Sequence, residues 1–164
     1  MSDAERVLAV LDGLGVAYRL DAHAPTDTMA ACAAVDARMG VLTPKNIFLT
    51  TKNGKRFALC LTRPEARFRT ADVSKQAGFS RLSFAPEEAL WALLHCRGGS
   101  ASPLGMIFDG DRRVALLVDA ALKDVPALGF HPCDSALTVA MSGADFFETF
   151  LPALGVDPVF VEIE

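Results

Sequence analysis

Val7, Val10, Leu11 and Leu14 recur at three- and four-residue intervals, the spacing of an apolar stripe on a helix over Ser2 to Leu14. Ser2 followed by Glu5 has the spacing of a capping box, which marks where this helix starts. VAYRL (16–20) predicts a short strand. Residues 27–39 predict a second, alanine-rich helix, capped by Thr26 or Asp27 and stopped at Gly40. The pattern then becomes that of extended chain. NIFLTT (46–51) and RFALCLT (56–62) flank Asn53-Gly54, the dipeptide favoured in type I′ turns, and together predict a hairpin.

Downstream, a short helix over 71–77 is closed by Gly78, and RLSFA (81–85) reads as a strand. Pro86-Glu87-Glu88 suits the first turn of a helix reaching His95, because proline lacks an N–H and acids favour the positive end of the helix dipole. LGMIFDGDRRVALLVD (104–119) predicts two strands joined across Asp109-Gly110-Asp111, and 128–132 and 136–141 predict two more. Ser142 caps a helix with Phe146, Phe147, Phe150, Leu151 and Leu154 on its buried face, before a last strand over 158–163. About seven strands and four or five helices in mixed order predict an α/β fold of α+β character with a mixed or largely antiparallel sheet, not a doubly wound one. At 164 residues, without repeats or linkers, the chain is expected to form one domain, 1–164.

Composition adds two constraints. With 51% hydrophobic and 22% charged residues the chain is of the globular class, and no apolar window is long enough to span a bilayer. MSDAERVLAV has no basic segment followed by an apolar one, so no signal peptide is predicted. Cys32, Cys60, Cys96 and Cys133 are irregularly spaced without a Cys-x-x-Cys pair, which points to reduced thiols in a cytoplasm. Net charge is −4 but unevenly spread. Lys45 to Arg81 carries nine basic residues against Glu65 and Asp72, whereas the rest has seven basic against 18 acidic. Charge alone leaves two readings open: a footprint for a polyanion, or a solvated hairpin.

Three polar insertions break the apolar framework: Lys45-Asn46, the loop GGSASP (98–103), and His131. Pro44 fixes its own φ and keeps Thr43 out of helix, so Lys45 enters the strand extended, as a site cation or as an edge lysine snorkelling to solvent. The glycines can turn backbone N–H groups toward an anion or oxyanion, or simply end a helix. The loop lacks the length and the Lys-Ser/Thr of a nucleotide-binding loop. His131 and Cys133 in FHPC suggest a nucleophilic pair, but no basic residue adjoins the thiol to activate it. His95, at a helix C-terminus, is read as structural. The acids form no evident dyad and the histidines no metal site. The residues by themselves indicate an electropositive site without metal or thiol.

Six segments occur in order: HAP (23–25), KNIFLT (45–50), the helix ahead of RLSFAPEE (81–88), GGSASPLGMIFD (98–109), FHPC (130–133) and the closing helix with FLPALGVDP (150–158). In these the chain resembles, from end to end, the YbaK/ProX-like family of aminoacyl-tRNA editing domains, in particular its free-standing prolyl-tRNA editing branch. The resemblance implies an α/β domain whose central mixed sheet, curled toward a barrel, is flanked by helices. It implies hydrolysis of the ester joining a wrong amino acid to tRNA, Ala-tRNA(Pro) first, with cysteine, serine or threonine as alternatives. A non-catalytic tRNA- or synthetase-binding module of the same fold is a further alternative. The family's lysine and asparagine fall on Lys45 and Asn46, and its histidine on His131, as catalytic residues. Gly99, Ser100, Ala101 and Ser102 would grip the aminoacyl group and Pro103 would stiffen their loop, with His23, Thr28 and Met29 also at the substrate. Lys52, Lys55, Arg56, Arg69 and Lys75 would meet tRNA phosphates. The partner implied is the tRNA acceptor end, with prolyl-tRNA synthetase as a further candidate; no cofactor, metal, DNA or membrane is implied. Two departures bear on which amino acid is cleared: Ser135 stands where the family commonly has Asn, and Thr28-Met29-Ala30-Ala31 replaces a threonine followed by a Glu-Glu pair.

Overall fold

A computed structural model describes residues 1–26 and 28–164, and of Met29 the backbone alone. At the N-terminus the Ser2 hydroxyl accepts from the Glu5 N–H at 3.1 Å while the Glu5 carboxylate accepts from the Ser2 N–H, so the expected capping box starts helix α1 (Asp3–Gly13). Strand β1 (Tyr18–Ala22) begins two residues later than the sequence pattern predicts. Helix α2 (Met29–Met39) is capped by neither expected residue. Thr28 caps it, accepting from the Ala31 N–H at 3.1 Å; Thr26 lies outside the helix, and Asp27 lies outside the described residues.

Strands β2 (Lys45–Thr51) and β3 (Phe57–Thr62) form the predicted hairpin, but its turn is not type I′. A type I′ turn needs positive φ at both central residues, and here Gly54 (φ 68°) has it while Asn53 does not. The Asn53 side chain instead accepts from the Thr51 hydroxyl and the Lys55 N–H, widening the connection. Helix α3 (Thr70–Ala77), strand β4 (Leu82–Phe84) and helix α4 (Glu87–Leu94) follow as predicted.

Residues 104–108, expected as a strand, form part of a 3₁₀ helix, Pro103–Phe108. Ser102 caps it and Pro103 occupies its first turn, both helix-start signals. Packing then holds it against α4: a Cβ on Gly105 would lie 2.3 Å from the Leu94 carbonyl oxygen. Strand β5 (Val114–Asp119) starts where the Asp109 carboxylate accepts from the Arg113 and Val114 N–H groups. Strands β6 (Ala127–Phe130) and β7 (Leu137–Ser142) precede a π-helical turn, Asp145–Phe150, that runs into helix α5 (Leu151–Ala153). Strand β8 (Val159–Val161) ends the fold.

The α/β class holds, with eight strands among the described residues divided between two sheets. One is antiparallel, in the order β1-β7-β6; the other is mixed, β4-β2-β3-β5-β8, with β3, β5 and β8 parallel. One face of the larger sheet, with Phe48, Leu59, Leu61 and Leu116, packs into a core shared with α1, α4, the smaller sheet and Phe146 and Phe150. On the other face Ile47, Leu49, Cys60 and Leu117 meet Val73 of α3. Burial on both faces explains why β3 is apolar at nearly every position instead of alternating. Among the described residues, no helix is long and apolar enough to cross a membrane.

Candidate active site

Three segments converge where β2 begins. On α2, Cys32 and Asp36 are spaced four residues apart and so share one face, and Thr28 caps the helix at its start. Asp36 accepts from the Thr43 N–H at 2.9 Å and from the Thr43 hydroxyl, tying the approach to Lys45 onto that helix. Gly129 of β6 backs the same residue, and a Cβ there would lie 2.6 Å from Thr43 Oγ1. Pro44 then fixes the backbone, and its carbonyl accepts from Asn46 Nδ2 at 3.1 Å. The exposed Lys45 side chain therefore projects from a braced base. Asn46 Oδ1 is buried and has no hydrogen-bond partner among the described residues, a cost of about 1–3 kcal/mol for such an acceptor.

Lys45 and Asn46 open onto a cavity of about 590 Å³ walled by α2, by Gly98, Gly99 and Ala101, and by Thr26 and His131. The loop expected to grip substrate is divided by its own hydrogen bonds. The Ser100 hydroxyl accepts from the Arg97 N–H and that of Ser102 from the Leu104 N–H, both at 3.1 Å. Both serines and Pro103 are buried in the loop's own structure, and it is Gly98, Gly99 and Ala101 that face the cavity. Gly98 is held in turn, its N–H donating to a Glu87 carboxylate oxygen at 2.8 Å.

His131 is 7% exposed. Its Nδ1 lies 2.7 Å from the Leu137 carbonyl oxygen, which can only accept, so Nδ1 carries the proton. Burial lowers the pKa below the ordinary histidine value; the Leu137 carbonyl opposes that shift and nearby His23 adds to it. The ring is therefore neutral, and Nε2, 3.2 Å from Thr26 Oγ1, accepts from the threonine hydroxyl. Such a ring orders a hydroxyl on the cavity wall and does not supply a cation. His23 stands behind it, bonded to Thr138 Oγ1 at 2.7 Å and away from the cavity lining. Thr28 lines the cavity, while the Met29 side chain lies outside the described residues.

Cys133 stays out of this constellation. Its Sγ is 3.6 Å from Cys96 Sγ, and that neighbour, with burial, pushes the thiol pKa far up, so no thiolate nucleophile is available. The five residues assigned to tRNA are all exposed but not clustered at Lys45. Lys52 and Lys55 sit at the hairpin tip, roughly 20 Å along β2 at about 3.3 Å per residue. Arg56 lies 4.0 Å over the Phe79 ring, and Arg69 and Lys75 border a separate groove with Glu162 and Glu164. Arg63, in the same basic segment, is committed to buried Asp119 at 2.7 Å.

No motif in the sequence marks Thr26, Asp36 and Thr43 as parts of the site, and Thr26 resembles a helix cap there. The four-residue spacing of Cys32 and Asp36 on an alanine-rich helix is a signal for Asp36; nothing local points to the Thr26–His131 pair, separated by 105 positions.

Residues 23–149 match the aminoacyl-tRNA editing domain family, a span that holds every wall of this cavity. The chain belongs to that family. This editing domain is 28% identical over 145 residues to the prolyl-tRNA editing protein ProX of Acetoanaerobium sticklandii, covering 88% of each chain. It is 28% identical over 127 residues to prolyl-tRNA synthetase associated domain-containing protein 1 of Danio rerio, covering 76% of this chain and 67% of the other. Its fold matches the crystal structure of a candidate trans-editing enzyme for prolyl-tRNA synthetase with a TM-score of 0.74 at 16% identity, over 99% of this chain and 98% of that one. The editing domain is an aminoacyl-tRNA deacylase, a hydrolase of the ester that joins a mischarged amino acid to its tRNA.

Proposed function

We propose that this editing domain removes alanine from tRNA(Pro) in trans. The observation that carries the reading is the meeting of Lys45, Gly99, Ala101 and His131 on one cavity, although they come from three distant segments. The likeness to ProX supports prolyl-tRNA as the substrate class. A synthetase pocket made for proline rejects the smaller alanine by only about 1–3 kcal/mol, so a second, hydrolytic sieve is needed. The α2 wall, with Ala30, Ala33 and Cys32, suits a small side chain.

Ester hydrolysis adds water to the carbonyl carbon, places negative charge on the carbonyl oxygen, then breaks the bond to the ribose oxygen, which leaves with a proton. The Lys45 ammonium stabilises the developing charge and the terminal nucleotide's phosphate. Asn46 braces the lysine through Pro44, and the backbone of Gly99 and Ala101 grips the aminoacyl group. The neutral His131 and Thr26 order a hydroxyl or water at the opposite wall. Lys52, Lys55 and Arg56 at the far end of the hairpin, with Arg69 and Lys75 at α3, meet acceptor-stem phosphates, so binding weakens as salt rises. The test is a deacylation panel of alanyl-, cysteinyl-, seryl- and threonyl-tRNA. Ala-tRNA(Pro) is expected to be cleared fastest, and a faster release of any other amino acid would replace alanine as the substrate.

A further inference from the structure

The active-site cavity has a neighbour of about 380 Å³ that shares Lys45, Asn46, Gly98 and Ala101 with it. Beyond that common wall it is a largely apolar trough between Ile47, Leu90 and Phe84, with Glu87, whose carboxylate accepts from the Gly98 N–H, also in its lining. Its origin is the shortness of β4, which pairs with β2 only at Leu49–Thr51. The Ala85 N–H donates to the Phe48 carbonyl at 3.0 Å, and before that point the edge of β2 leads into the trough. Main-chain groups two residues apart on a strand point the same way, so the N–H and C=O of Asn46 project toward this edge.

Phe84 stands opposite Leu49, which puts it on the same face of the sheet as Lys45, four residues before Leu49. Its ring is 71% exposed and steadied by Phe68, with centroids 6.5 Å apart. A single exposed apolar side chain is unremarkable. This one lines a trough that also has Lys45 in its wall, beside a cavity that hydrolyses an ester on a nucleotide.

We propose that the trough is the subsite for the nucleobase of the tRNA's 3′-terminal nucleotide, with Phe84 as its stacking surface. The proposal rests on the deacylase reading, which puts the aminoacyl group in the first cavity and the esterified ribose at Lys45. The base hangs from the opposite side of that ribose and so falls across the shared wall. There it finds an aromatic face and, at Asn46, a main-chain donor and acceptor for its edge. Bases stack well on such surfaces, and loss of one aromatic partner typically weakens binding about 5- to 150-fold.

The experiment compares alanine esterified to adenosine with alanine esterified to methyl riboside, on the full chain and its Phe84→Ala and Phe84→Trp variants. Wild type is expected to favour the adenosine ester about tenfold or more through KM. Phe84→Ala is expected to lose that preference with its riboside turnover unchanged, and Phe84→Trp to keep it. An unchanged ratio of the two esters in Phe84→Ala, or no preference in wild type, overturns the subsite. Turnover of neither ester, nor of charged tRNA, overturns the deacylase reading instead. The subsite is then decided by NMR: adenosine monophosphate shifting Ile47 and Leu90 resonances where ribose 5-phosphate does not supports it, and equal shifts by both refute it.

Discussion

Replacing Lys45 by methionine keeps most of the aliphatic stem and removes the charge, which isolates the electrostatic role. Two unit charges 4 Å apart interact by about 4 kcal/mol at an effective dielectric of 20 and about 1 kcal/mol in bulk water. Lys45 is exposed yet walls a cavity, so its contribution lies between those limits. That range converts to a loss of about fivefold to several hundredfold in kcat/KM. The assay is single-turnover release of labelled alanine from Ala-tRNA(Pro), with thermal melts beside it. Melting should stay near wild type, because exposed substitutions change stability by about 0.5 kcal/mol or less. The gap between wild type and Lys45→Met should also narrow from 0.1 to 1 M salt, as the screening length falls from about 10 to about 3 Å. Deacylation by Lys45→Met within twofold of wild type at low salt would refute the role assigned to this ammonium.

Gly129→Ala forces a methyl against Thr43 Oγ1 and Val41, so it should lower stability by about 1–3 kcal/mol in urea unfolding. It should also slow deacylation by displacing Thr43-Pro44-Lys45, and a variant as active as wild type would break that link. His131 has a folded-state pKa below its unfolded value, so the unfolded chain binds the extra proton first. Its stabilising contribution is complete above about pH 6.5 and shrinks as pH falls below that. The drop in melting temperature from pH 7.5 to 5.5 should therefore be smaller in His131→Gln than in wild type; an equal drop would contradict the neutral, buried ring. Cys133→Ser should deacylate near the wild-type rate, because the thiol is protonated beside Cys96 and outside the cavity. Loss of activity to background would restore a thiol mechanism.

Several element boundaries are legible in the sequence. The Ser2–Glu5 box and the Gly40 and Gly78 helix stops depend on hydrogen bonds within one turn whose partners are neighbours in sequence, and the proline-acid start of α4 depends on proline's missing N–H and on the helix dipole. Residues 104–108 looked like a strand because a short apolar run has no period of its own; contact between Gly105 and α4 settled it as 3₁₀. In the site, Lys45, Asn46 and His131 were recognisable by resemblance, but the division of the glycine loop into cavity-facing and inward-facing residues was not, since it depends on which hydroxyl caps which N–H.

By itself, the sequence determined the α1 capping box, the Gly40 and Gly78 helix stops, the pairing of the hairpin strands, the α/β class and the family, because these rest on neighbours in the chain or on ordered motifs. Tertiary structure alone decided the split into two sheets, the parallel pairing of β3, β5 and β8, the Asp36–Thr43 brace and the apolar trough beside Lys45. Those features depend on which surfaces pack together across long stretches of chain, and burial rewards an apolar residue for being covered without specifying which partner covers it.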